Sequence, residues 1–442
     1  MTGGAEILVA DVAVVGAGPA GIAAAARAAE RGLQVVVLDR GLEPGGQIWR
    51  HVNGGPIPQV ARQWLARLDK SGARILPGTS VVDAGADASG FQIIANSLGH
   101  AQIIRTTSVI LATGAREMFI PFEGWTLPGV MGIGGAQALL KSGASFAGKR
   151  VIIAGSGPLM LPVAAALASG GAKLLLVAEQ ASLSAVTRFA AELWKTPTML
   201  MQAAQYRARF FSTPFSTGTW VTAARGDGRL ESVTVTNGRR TWREPVDILC
   251  SGYGLIPNIE LAQLIGCETH DGCVLVDARQ RTSVRNVLAV GEATGIGGAP
   301  LSLVEGEIAG MTVGSTLLAP ATLLRRRATL KASARRMFEA FAPRAELRAL
   351  PTAETIVCRC EDVTYGRIQR ATCARQAKLY TRAGMGPCQG RTCMPGLEFL
   401  LAWHSDTVRP PIEPATVSIL SSEVADNASS ALASNSSVGD VF

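Results

Sequence analysis

The fold is decided by residues 11–40, which read DVAVVGAGPAGIAAAARAAERGLQVVVLDR. A β-branched run ends at a Gly-x-Gly-x-x-Gly turn (Gly16, Gly18 and Gly21), an alanine-rich stretch follows, and a second valine-rich run ends at Asp39. The first glycine permits the tight turn, the second lets a pyrophosphate approach the backbone, and the third allows close helix–strand packing. The helix N-terminus supplies partial positive charge, and Asp39 would accept from ribose hydroxyls. This stretch therefore predicts a Rossmann-type unit that binds an adenine dinucleotide.

Length and composition predict a folded protein of two to three domains, because 442 residues exceed one hydrophobic core. With 48% hydrophobic and 17% charged residues, the chain has the profile of a nucleotide-binding α/β protein. The net charge of +8 is spread out, with one dense run of arginines at 325–327, 335 and 336, so nucleic-acid binding is not predicted. The apolar opening stretch carries Asp11 and the glycine turn, which indicates a buried strand and helix rather than a signal or membrane span. A cytoplasmic location is expected.

A second unit of the same kind lies at 149–180, KRVIIAGSGPLMLPVAAALASGGAKLLLVAEQ. It has Gly155 and Gly157 at the turn and Glu179 after the following strand, but Met160 occupies the third glycine position. A bulky residue there is expected to move the helix away from the strand and to weaken pyrophosphate binding. Two interpretations stay open. The unit binds NAD(P)H, ATP or another adenine nucleotide, or it is retained as architecture alone.

Four cysteines near the C-terminus form two close pairs, Cys358-x-Cys360 and Cys388-x4-Cys393. In a chain without a secretion signal, such thiols indicate metal or cluster ligands rather than disulfides. The first pair is expected on a tight turn, and the glycine-rich RAGMGPCQGRTC lets backbone N–H groups approach an inorganic sulfur, which favours [2Fe–2S]. The alternatives are a tetrahedral zinc site, which usually shows two Cys-x-x-Cys-like knuckles, and four unrelated buried thiols.

The remaining cysteines and the histidines have no such pairing. The cysteines are predicted to be small core residues, and Cys373 is not expected to be a ligand. No histidine stands at a known spacing from a nucleophile or an acid, so no catalytic role is assigned. These residues are Cys250, Cys267, Cys273, Cys373, His51, His100, His270 and His404.

Three further segments resemble those that hold FAD in flavoproteins with two dinucleotide domains. GGQIWR (45–50) resembles the loop over the flavin, VILATGARE (109–117) contains the Ala-Thr-Gly turn placed against FAD, and NVLAVGEATG (286–295) resembles the strand that meets the ribityl chain, with Glu292 where Asp is usual. The residues expected at FAD are Gly16, Gly18, Pro19, Ala20, Gly21, Asp39, Arg40, Gly46, Gln47, Ile48, Ala112, Thr113, Gly114, Gly291 and Glu292. No Cys-x-x-Cys follows the first unit, so disulfide reduction is excluded.

Together with PFEGWTLPGVMGIGGAQALLKSG (121–143) and the cysteine block, these segments resemble the large FAD-containing subunit of heteromeric amino-acid dehydrogenases. That family includes the opine (octopine and nopaline) oxidases, hydrogen cyanide synthase, D-hydroxyproline dehydrogenase and dye-linked L-proline dehydrogenase. The resemblance covers residues 11 to about 412. It implies a glutathione-reductase-like α/β fold with two Rossmann-like domains and a small helical [2Fe–2S] domain with four cysteine ligands, Cys358, Cys360, Cys388 and Cys393.

The resemblance also implies partners. A β subunit of D-amino-acid-oxidase type oxidises the C–N bond with its own FAD, an FMN can lie at the interface, and electrons pass to the large chain and to a small ferredoxin-like γ subunit. A peripheral membrane electron acceptor is a further candidate partner. Some members carry ATP at the second nucleotide domain.

The expected domains are FAD-binding (1–125 and 284–325), NAD(P)-type (126–283), a basic connector (326–351), a bacterioferritin-associated-ferredoxin-like [2Fe–2S] domain (352–404) and a tail (405–442). The Ser/Ala-rich part of the tail, from residue 416, is expected to be disordered or wrapped on a partner. Arg116 could clamp a substrate carboxylate, but a helix-surface or phosphate-neutralising role is expected, so no catalytic residue is assigned. The leading hypothesis is an electron-transfer subunit of a dehydrogenase acting on a CH–NH group. The alternative is a self-sufficient NAD(P)H-dependent FAD oxidoreductase that passes electrons to an iron–sulfur acceptor.

Overall fold

The computed structural model describes residues 6–49, 57–87, 89–192, 197–403 and 408–421. His51, His404 and the tail from residue 422 lie outside these ranges, so the predictions made for them are not addressed by the structure. None of the helices in the described ranges combines the length and apolarity needed to cross a membrane.

The secondary structure alternates strands and helices through both dinucleotide units. The strands are β1 (Glu6–Val15), β2 (Val35–Leu38), β3 (Arg74–Leu76), β4 (Thr79–Asp87), β5 (Gly90–Ser97), β6 (His100–Leu111), β7 (Ala115–Glu117), β8 (Val130–Gly132), β9 (Arg150–Gly155), β10 (Lys173–Glu179), β11 (Phe215–Thr217), β12 (Trp220–Arg225), β13 (Ser232–Thr236), β14 (Thr241–Pro245), β15 (Ile248–Gly252), β16 (Leu255–Pro257), β17 (Thr269–His270), β18 (Cys273–Val274), β19 (Val287–Ala289), β20 (Ile356–Cys358) and β21 (Val363–Thr364). The helices are α1 (Pro19–Ala29), α2 (Gly46–Trp49), α3 (Gln59–Lys70), α4 (Ile133–Lys141), α5 (Met160–Ser169), α6 (Leu183–Glu192), α7 (Pro197–Ala208), α8 (Glu260–Ile265), α9 (Gly298–Thr312), α10 (Ala321–Ala340), α11 (Tyr365–Ile368), α12 (Ala374–Thr381) and α13 (Cys393–Leu401). Short 3-10 helices span Gly291–Thr294 and Ala345–Ala349.

The first sheet joins segments that are far apart in the chain. Its order is β3-β2-β1-β6-β5-β4, and β19 pairs with the end of β6. Strands β1, β2, β3, β6 and β19 run parallel, whereas β4 and β5 pair antiparallel. Because β19 joins this sheet, the late flavin-type segment lies beside the first dinucleotide unit, which supports the proposed two-piece FAD domain.

Helices α1 and α9 pack closely against each other. Pro19 starts α1 at a position where its missing N–H costs nothing, and alanines with high helix propensity follow. A side chain at Gly306 of α9 would lie 2.2 Å from the carbonyl oxygen of Ala20, and one at Gly310 would lie 2.4 Å from that of Ala24. Small residues on both helices therefore hold α9 against the first nucleotide-binding helix.

The second sheet has the order β11-β10-β9-β15-β8, and all of its pairings are parallel. One face packs against α5 through a core that contains Met160. The other face shares a core with the antiparallel strands β12–β14 and with residues 347–403, called the C-terminal region. This shared core fixes the C-terminal region against the second unit.

Helix α10 (Ala321–Ala340) covers the first part of the basic connector and begins inside the range assigned to the FAD domain. The C-terminal region contains the hairpin of β20 and β21 as well as helices α11, α12 and α13. Trp125 Nε1 donates to the carbonyl of Ile356 at 2.5 Å, and a side chain at Gly396 would lie 2.5 Å from the carbonyl oxygen of Phe119. The C-terminal region thus lies on the segment that links the two nucleotide units.

Candidate functional site

The first glycine turn is built by backbone packing that excludes side chains. Gly16 has φ +107°, and a side chain there would lie 2.2 Å from the carbonyl oxygen of Ala112. A side chain at Gly21 would lie 1.8 Å from the carbonyl oxygen of Gly16. Turn, helix α1 and strand β6 therefore meet as the sequence predicts.

Gly18 faces open space instead. No atom lies within 4 Å of the position that its Cβ would take, which leaves room for a pyrophosphate against the backbone. Asp39 Oδ2 accepts from the N–H of Ala17 at 2.5 Å, which brings this carboxylate to the turn. A side chain at Gly46 would lie 2.9 Å from the Cα of Gly18, so the Gly-Gly-Gln loop borders the same space.

Glu292 leaves a buried oxygen for a cofactor hydroxyl. Its Oε1 accepts from the N–H of Gly298 at 2.8 Å. Its Oε2 is buried and has no hydrogen-bond partner among the described residues. Burial raises the pKa of this carboxyl, and the N–H of Gly298 partly opposes that effect. A ribityl hydroxyl would satisfy Oε2, so Glu292 fits the flavin despite its extra methylene.

The other predicted flavin residues lie around these groups. Thr113 and Gly114 form the turn after β6, and Ala20 lies beneath Gly291. The carbonyl oxygens of Gln47 and Ile48 accept from Lys141 Nζ at 2.9 and 3.0 Å. Arg40 pairs with Glu413 at 3.1 Å, so its guanidinium is directed to the C-terminal segment.

Sequence reasoning missed two residues that shape the flavin site. Glu305 is 1% exposed and accepts through Oε2 from the N–H of Gly291 at 3.0 Å. Asn258 donates through Nδ2 to the carbonyl of Thr113 at 2.9 Å. A charged residue inside the glycine-rich stretch of α9 was a signal for Glu305, whereas no local pattern indicated Asn258.

The four C-terminal cysteines come together as two pairs. Cys358 ends β20, Cys360 lies in the following turn, Cys388 follows α12 and Cys393 begins α13. The Cys358 thiol hydrogen-bonds with that of Cys393, and Cys360 with Cys388. A binuclear cluster needs two pairs, since each iron takes two of the four thiolates.

Backbone N–H groups point at these sulfurs. The N–H of Gly384 donates to Cys358 Sγ at 3.4 Å. The hydrogen bond with Cys393, helped by that of Gly384, lowers the pKa of Cys358 to about 5. Burial raises the pKa of Cys388, but hydrogen bonds from the N–H of Thr392 and from other donors lower it by more, so the net shift is downward. The pKa values of the partner thiols Cys393 and Cys360 are raised, so the fit to cluster ligation rests on the N–H donors around the sulfurs.

A single zinc ion fits less well. Within the described ranges, no three His, Cys, Asp or Glu side chains are grouped as a ready site for one ion. Zinc would draw four thiolates to one point, whereas here they stand in pairs. Of the other cysteines, Cys250 and Cys267 are buried as predicted and Cys273 is half-buried, but Cys373 is exposed, so its assignment to the core was wrong.

Met160 changes how the second nucleotide helix begins. In the first unit α1 starts at Pro19, directly after Gly18. In the second unit the matching Pro158 precedes the helix, and α5 starts two residues later, at Met160. The N–H of Met160 donates to the carbonyl of Gly157 at 3.2 Å in a tighter turn. The helix is therefore shortened where a pyrophosphate would bind, and the expected displacement of the helix from the strand stays a prediction.

The second turn is also covered by residues 341–344, which follow α10 and are called the strap. Ser156 Oγ donates to the carbonyl of Phe341 at 2.7 Å. The Cβ of Phe341 lies 3.9 Å from the position that a Cβ at Gly157 would take. The Phe341 ring packs edge-on against Phe189 at 5.3 Å between ring centres. An aromatic side chain of the chain itself thus borders the phosphate-binding turn.

Gln180 fastens the rest of the strap. Its Nε2 donates to the carbonyl of Ala342 at 3.1 Å, and its Oε1 accepts from the N–H of Arg344 at 3.0 Å. The Arg344 guanidinium lies 4.1 Å above the ring of Trp220. Both the oxygen and the nitrogen of the Gln180 side-chain amide are therefore hydrogen-bonded within the chain.

Both carboxylate oxygens of Glu179, at the ribose-binding position, also accept hydrogen bonds within the chain. Its Oε2 accepts from the N–H of Gly157 at 2.8 Å, and its Oε1 accepts from that of Ala181 at 2.8 Å. Burial raises its pKa to about 7, although these N–H groups oppose the shift. Glu179, Ser156 and Gln180 are thus all hydrogen-bonded within the chain at the second turn.

Arg116 lies on strand β7, so the expectation of a helix-surface role was wrong. Its Nη1 lies 2.8 Å from Glu260 Oε1 and donates to Asn258 Oδ1 at 2.7 Å. Its Nε donates to the carbonyl of Arg391 at 3.1 Å. The guanidinium is held by oxygens of this chain rather than by a phosphate.

Comparisons with known proteins agree with this geometry. The model of the family "Pyridine nucleotide-disulphide oxidoreductase" matches residues 10–312. The chain belongs to this family. The model "BFD-like [2Fe-2S] binding domain" matches residues 356–403. The chain is a flavin-dependent oxidoreductase whose cofactors are FAD and a [2Fe–2S] cluster, and the predicted fold class is confirmed.

The resemblance stated from the sequence is also confirmed. The chain is 32% identical to the A subunit of opine oxidase from Rhizobium meliloti (strain 1021), over 94% of this chain and 98% of that protein. It is 31% identical to the HcnB subunit of hydrogen cyanide synthase from Pseudomonas aeruginosa, over 86% of this chain and 90% of that one. The solved structure of L-proline dehydrogenase from P. horikoshii shares the fold, with a TM-score of 0.66 at 20% identity over 94% of this chain and 80% of that one.

Proposed function

We propose that this chain is the electron-transfer subunit of a heteromeric dehydrogenase that oxidises a CH–NH bond of an amino-acid derivative. The substrate is an opine such as octopine or nopaline, or D-hydroxyproline, proline or glycine. The substrate site lies on a partner β subunit. Electrons enter this chain at FAD and leave through the [2Fe–2S] cluster.

The pairing of Arg116 carries this proposal. An amino-acid oxidising site needs a guanidinium that clamps the substrate carboxylate with two parallel hydrogen bonds. Arg116 was the candidate because it follows the Ala-Thr-Gly turn. Its guanidinium is instead engaged by Glu260, Asn258 and the carbonyl of Arg391, and its side chain is 23% exposed. A substrate carboxylate would have to displace these contacts.

The chain's own groups hold the two cofactors. When bound, FAD supplies two-electron oxidation and reduction, and the cluster supplies one-electron transfer. The open face of Gly18 would accept the pyrophosphate, and Glu292 Oε2 would hold a ribityl hydroxyl. Thiolates of the two cysteine pairs would ligate the irons, with N–H donors around their sulfurs.

The proposed partners follow from the relatives, whose names describe them as subunits. We propose a D-amino-acid-oxidase-like β subunit, an FMN at the interface with it, and a small ferredoxin-like γ subunit. A peripheral membrane acceptor is the candidate recipient of the electrons.

The alternative is a self-sufficient NAD(P)H-dependent oxidoreductase. It requires a nucleotide at the second turn, where Ser156 and Gln180 are bonded to the strap. The same contacts disfavour ATP there. We propose that the second unit is architectural and that hydride from NAD(P)H does not enter this chain.

The test is to purify the chain alone with FAD and iron bound. Octopine, nopaline, D-hydroxyproline, proline and glycine are then assayed with an artificial dye as acceptor. We expect no oxidation by the isolated chain and oxidation of one of these substrates once the β subunit is present. Robust oxidation by the isolated chain would sink the proposal. Rapid bleaching of the flavin band on anaerobic mixing with NADH or NADPH would favour the alternative.

A further inference from the structure

Arg116 stands between the flavin turn and the loop that carries two of the cluster cysteines. It lies on β7, two residues after Gly114, and points towards the C-terminal region. Its guanidinium contacts three groups from two other segments of the chain: Asn258 and Glu260 from one, and the carbonyl of Arg391 from the other. Arg116 therefore connects the two cofactor sites through direct hydrogen bonds, and this set of contacts is called the bridge.

On the flavin side, the bridge is locked to the Ala-Thr-Gly turn. Thr113 Oγ1 donates to the carbonyl of Asn258 at 2.6 Å, and Asn258 Nδ2 donates back to the carbonyl of Thr113 at 2.9 Å. The N–H of Asn258 also donates to the carbonyl of Gly114 at 2.9 Å. Asn258 Oδ1 then accepts from Arg116 at 2.7 Å. These reciprocal bonds leave the guanidinium little freedom relative to the flavin turn.

On the cluster side, Arg116 Nε donates to the carbonyl of Arg391 at 3.1 Å. Arg391 lies between Cys388 and Cys393, and its N–H donates to the carbonyl of Cys388 at 3.0 Å. The bridge therefore reaches the backbone of the cluster loop between its two ligating thiols.

A second tie holds the other side of the same loop. The Arg391 guanidinium donates to the carbonyl of Ile412 and pairs with Glu413 at 3.4 Å. Glu413 pairs in turn with Arg40 at 3.1 Å, next to the ribose-binding Asp39. The side chain of Arg40 is 70% exposed, so this tie is weaker than the bridge through Arg116.

We propose that Arg116 is a positioning residue that fixes the cluster loop relative to FAD and so sets the rate of electron transfer between them. The proposal rests on the proposed electron-transfer function. Electron transfer through protein falls steeply with distance, so a loosened loop slows it. Oxidation of one reduced FAD takes two one-electron transfers and releases two protons. Each transfer reduces one ferric iron of the cluster. An external one-electron acceptor reoxidises the cluster between the two transfers. Because Glu260 neutralises the Arg116 charge at 2.8 Å, the effect is on rate rather than on potential.

The test compares Arg116→Lys with a matched control, Arg225→Lys. Lysine keeps the charge beside Glu260, but its point-like ammonium cannot span Asn258, Glu260 and the Arg391 carbonyl as the planar guanidinium does. Arg225 makes a similar two-pronged pair with Glu123, at 2.6 and 2.8 Å, and lies at the end of β12 rather than beside the flavin turn. In each holoprotein FAD is photoreduced anaerobically, and the arrival of electrons at the cluster is followed by visible absorption and by electron paramagnetic resonance.

We expect Arg116→Lys to keep its FAD, iron, sulfide and cluster midpoint potential while electron arrival slows by about tenfold or more. Arg225→Lys should match the unmodified protein. A second variant, Asn258→Ala, removes the lock on the flavin side and should slow transfer in the same direction.

Three results would overturn the proposal. The first is an unchanged rate in Arg116→Lys, and the second is a slower rate that a shifted midpoint potential of the cluster explains. The third is loss of the cluster in both Arg116→Lys and Asn258→Ala, which would assign Arg116 to cluster assembly. If the unmodified chain itself fails to pass electrons from FAD to the cluster, the proposed function fails instead. The two failures are therefore distinguishable.

Discussion

The hydroxyl of Ser156 donates a hydrogen bond of 2.7 Å to the carbonyl of Phe341. This contact ties the end of the basic connector to the turn of the second dinucleotide unit. Ser156 has one hydroxyl proton, and Phe341 takes it. Ser156 Oγ also lies 3.2 Å from Glu179 Oε1. Burial raises the pKa of Glu179, and its contact with Ser156 opposes that shift. The strap therefore meets the second turn beside a buried carboxyl.

We predict that the unmodified chain does not bind NADH, NADPH or ATP at this turn. Combining Phe341→Ala with Gln180→Ala removes the ring and two of the strap's hydrogen bonds, so nucleotide binding should appear and the peptide bond after Arg344 should become sensitive to trypsin. Phe338→Ala is the control, because this residue lies three positions earlier, on α10, and is 64% exposed. Calorimetric titration and mass spectrometry of the digest measure both effects. Tight NADH binding by the unmodified chain would show that the strap does not close the site.

Gly18→Val should abolish FAD binding. Its φ of −75° suits valine, and no protein atom lies within 4 Å of the new Cβ, so the side chain would clash with the pyrophosphate rather than with the chain. The control is Gly85→Val on β4, which also has open space around it and where valine is favoured. The measurement is the FAD content per chain of each purified variant. Stoichiometric FAD in Gly18→Val would count against the assigned site.

Glu179 should make the chain less stable as the pH rises. Burial raises its pKa from 4.5 to about 7, so between these values the folded chain binds more protons than the unfolded chain. The free energy of unfolding therefore falls as pH rises through this window and levels off above it, by up to about 3 kcal/mol from this group. Glu179→Gln keeps an acceptor for one of the two backbone N–H groups and removes the titrating carboxyl, so it should flatten the slope. Urea unfolding at several pH values checks this, with the exposed Glu43→Gln as control, and equal slopes in Glu179→Gln and the parent would refute it.

Helix packing around the first turn predicts opposite outcomes for two Gly→Ala changes. Gly306→Ala places a methyl group 2.2 Å from the carbonyl oxygen of Ala20, so the free energy of unfolding should fall by about 1–3 kcal/mol. Gly135→Ala, at an exposed position of α4 with no atom within 4 Å of the new Cβ, should raise it by about 0.5–1 kcal/mol. Thermal unfolding with FAD bound compares them. A Tm for Gly306→Ala at or above that of the parent would contradict the close packing of α1 and α9.

Local sequence predicted the first turn because its chemistry depends on short spacings. Gly16, Gly18 and Gly21 lie where the fingerprint places them, and Asp39 reaches the N–H of Ala17 from the next strand. The Cys358 and Cys388 segments were equally readable, since closely spaced thiols have few structural explanations.

The strap and the Arg116 bridge could not be predicted in this way. Phe341 meets Ser156 across 185 positions, and Arg116 meets Arg391 across 275. Neither contact has a periodic or motif signature, because each depends on how the connector and the C-terminal region pack on the two sheets. Met160 indicated a weak second site, but its neighbours in sequence gave no sign that another segment covers the turn.

Above all, FAD should pass single electrons to a cluster held by Cys358, Cys360, Cys388 and Cys393. Metal and acid-labile sulfide analysis, combined with electron paramagnetic resonance after anaerobic photoreduction of FAD, tests this transfer most directly. We expect about two iron and two sulfide per chain and a rhombic signal that grows as the reduced flavin gives up one electron. Cys388→Ser should lose that signal but keep FAD, and the exposed Cys373→Ser should keep both. About one zinc per chain, with no sulfide and no signal, would contradict the electron relay.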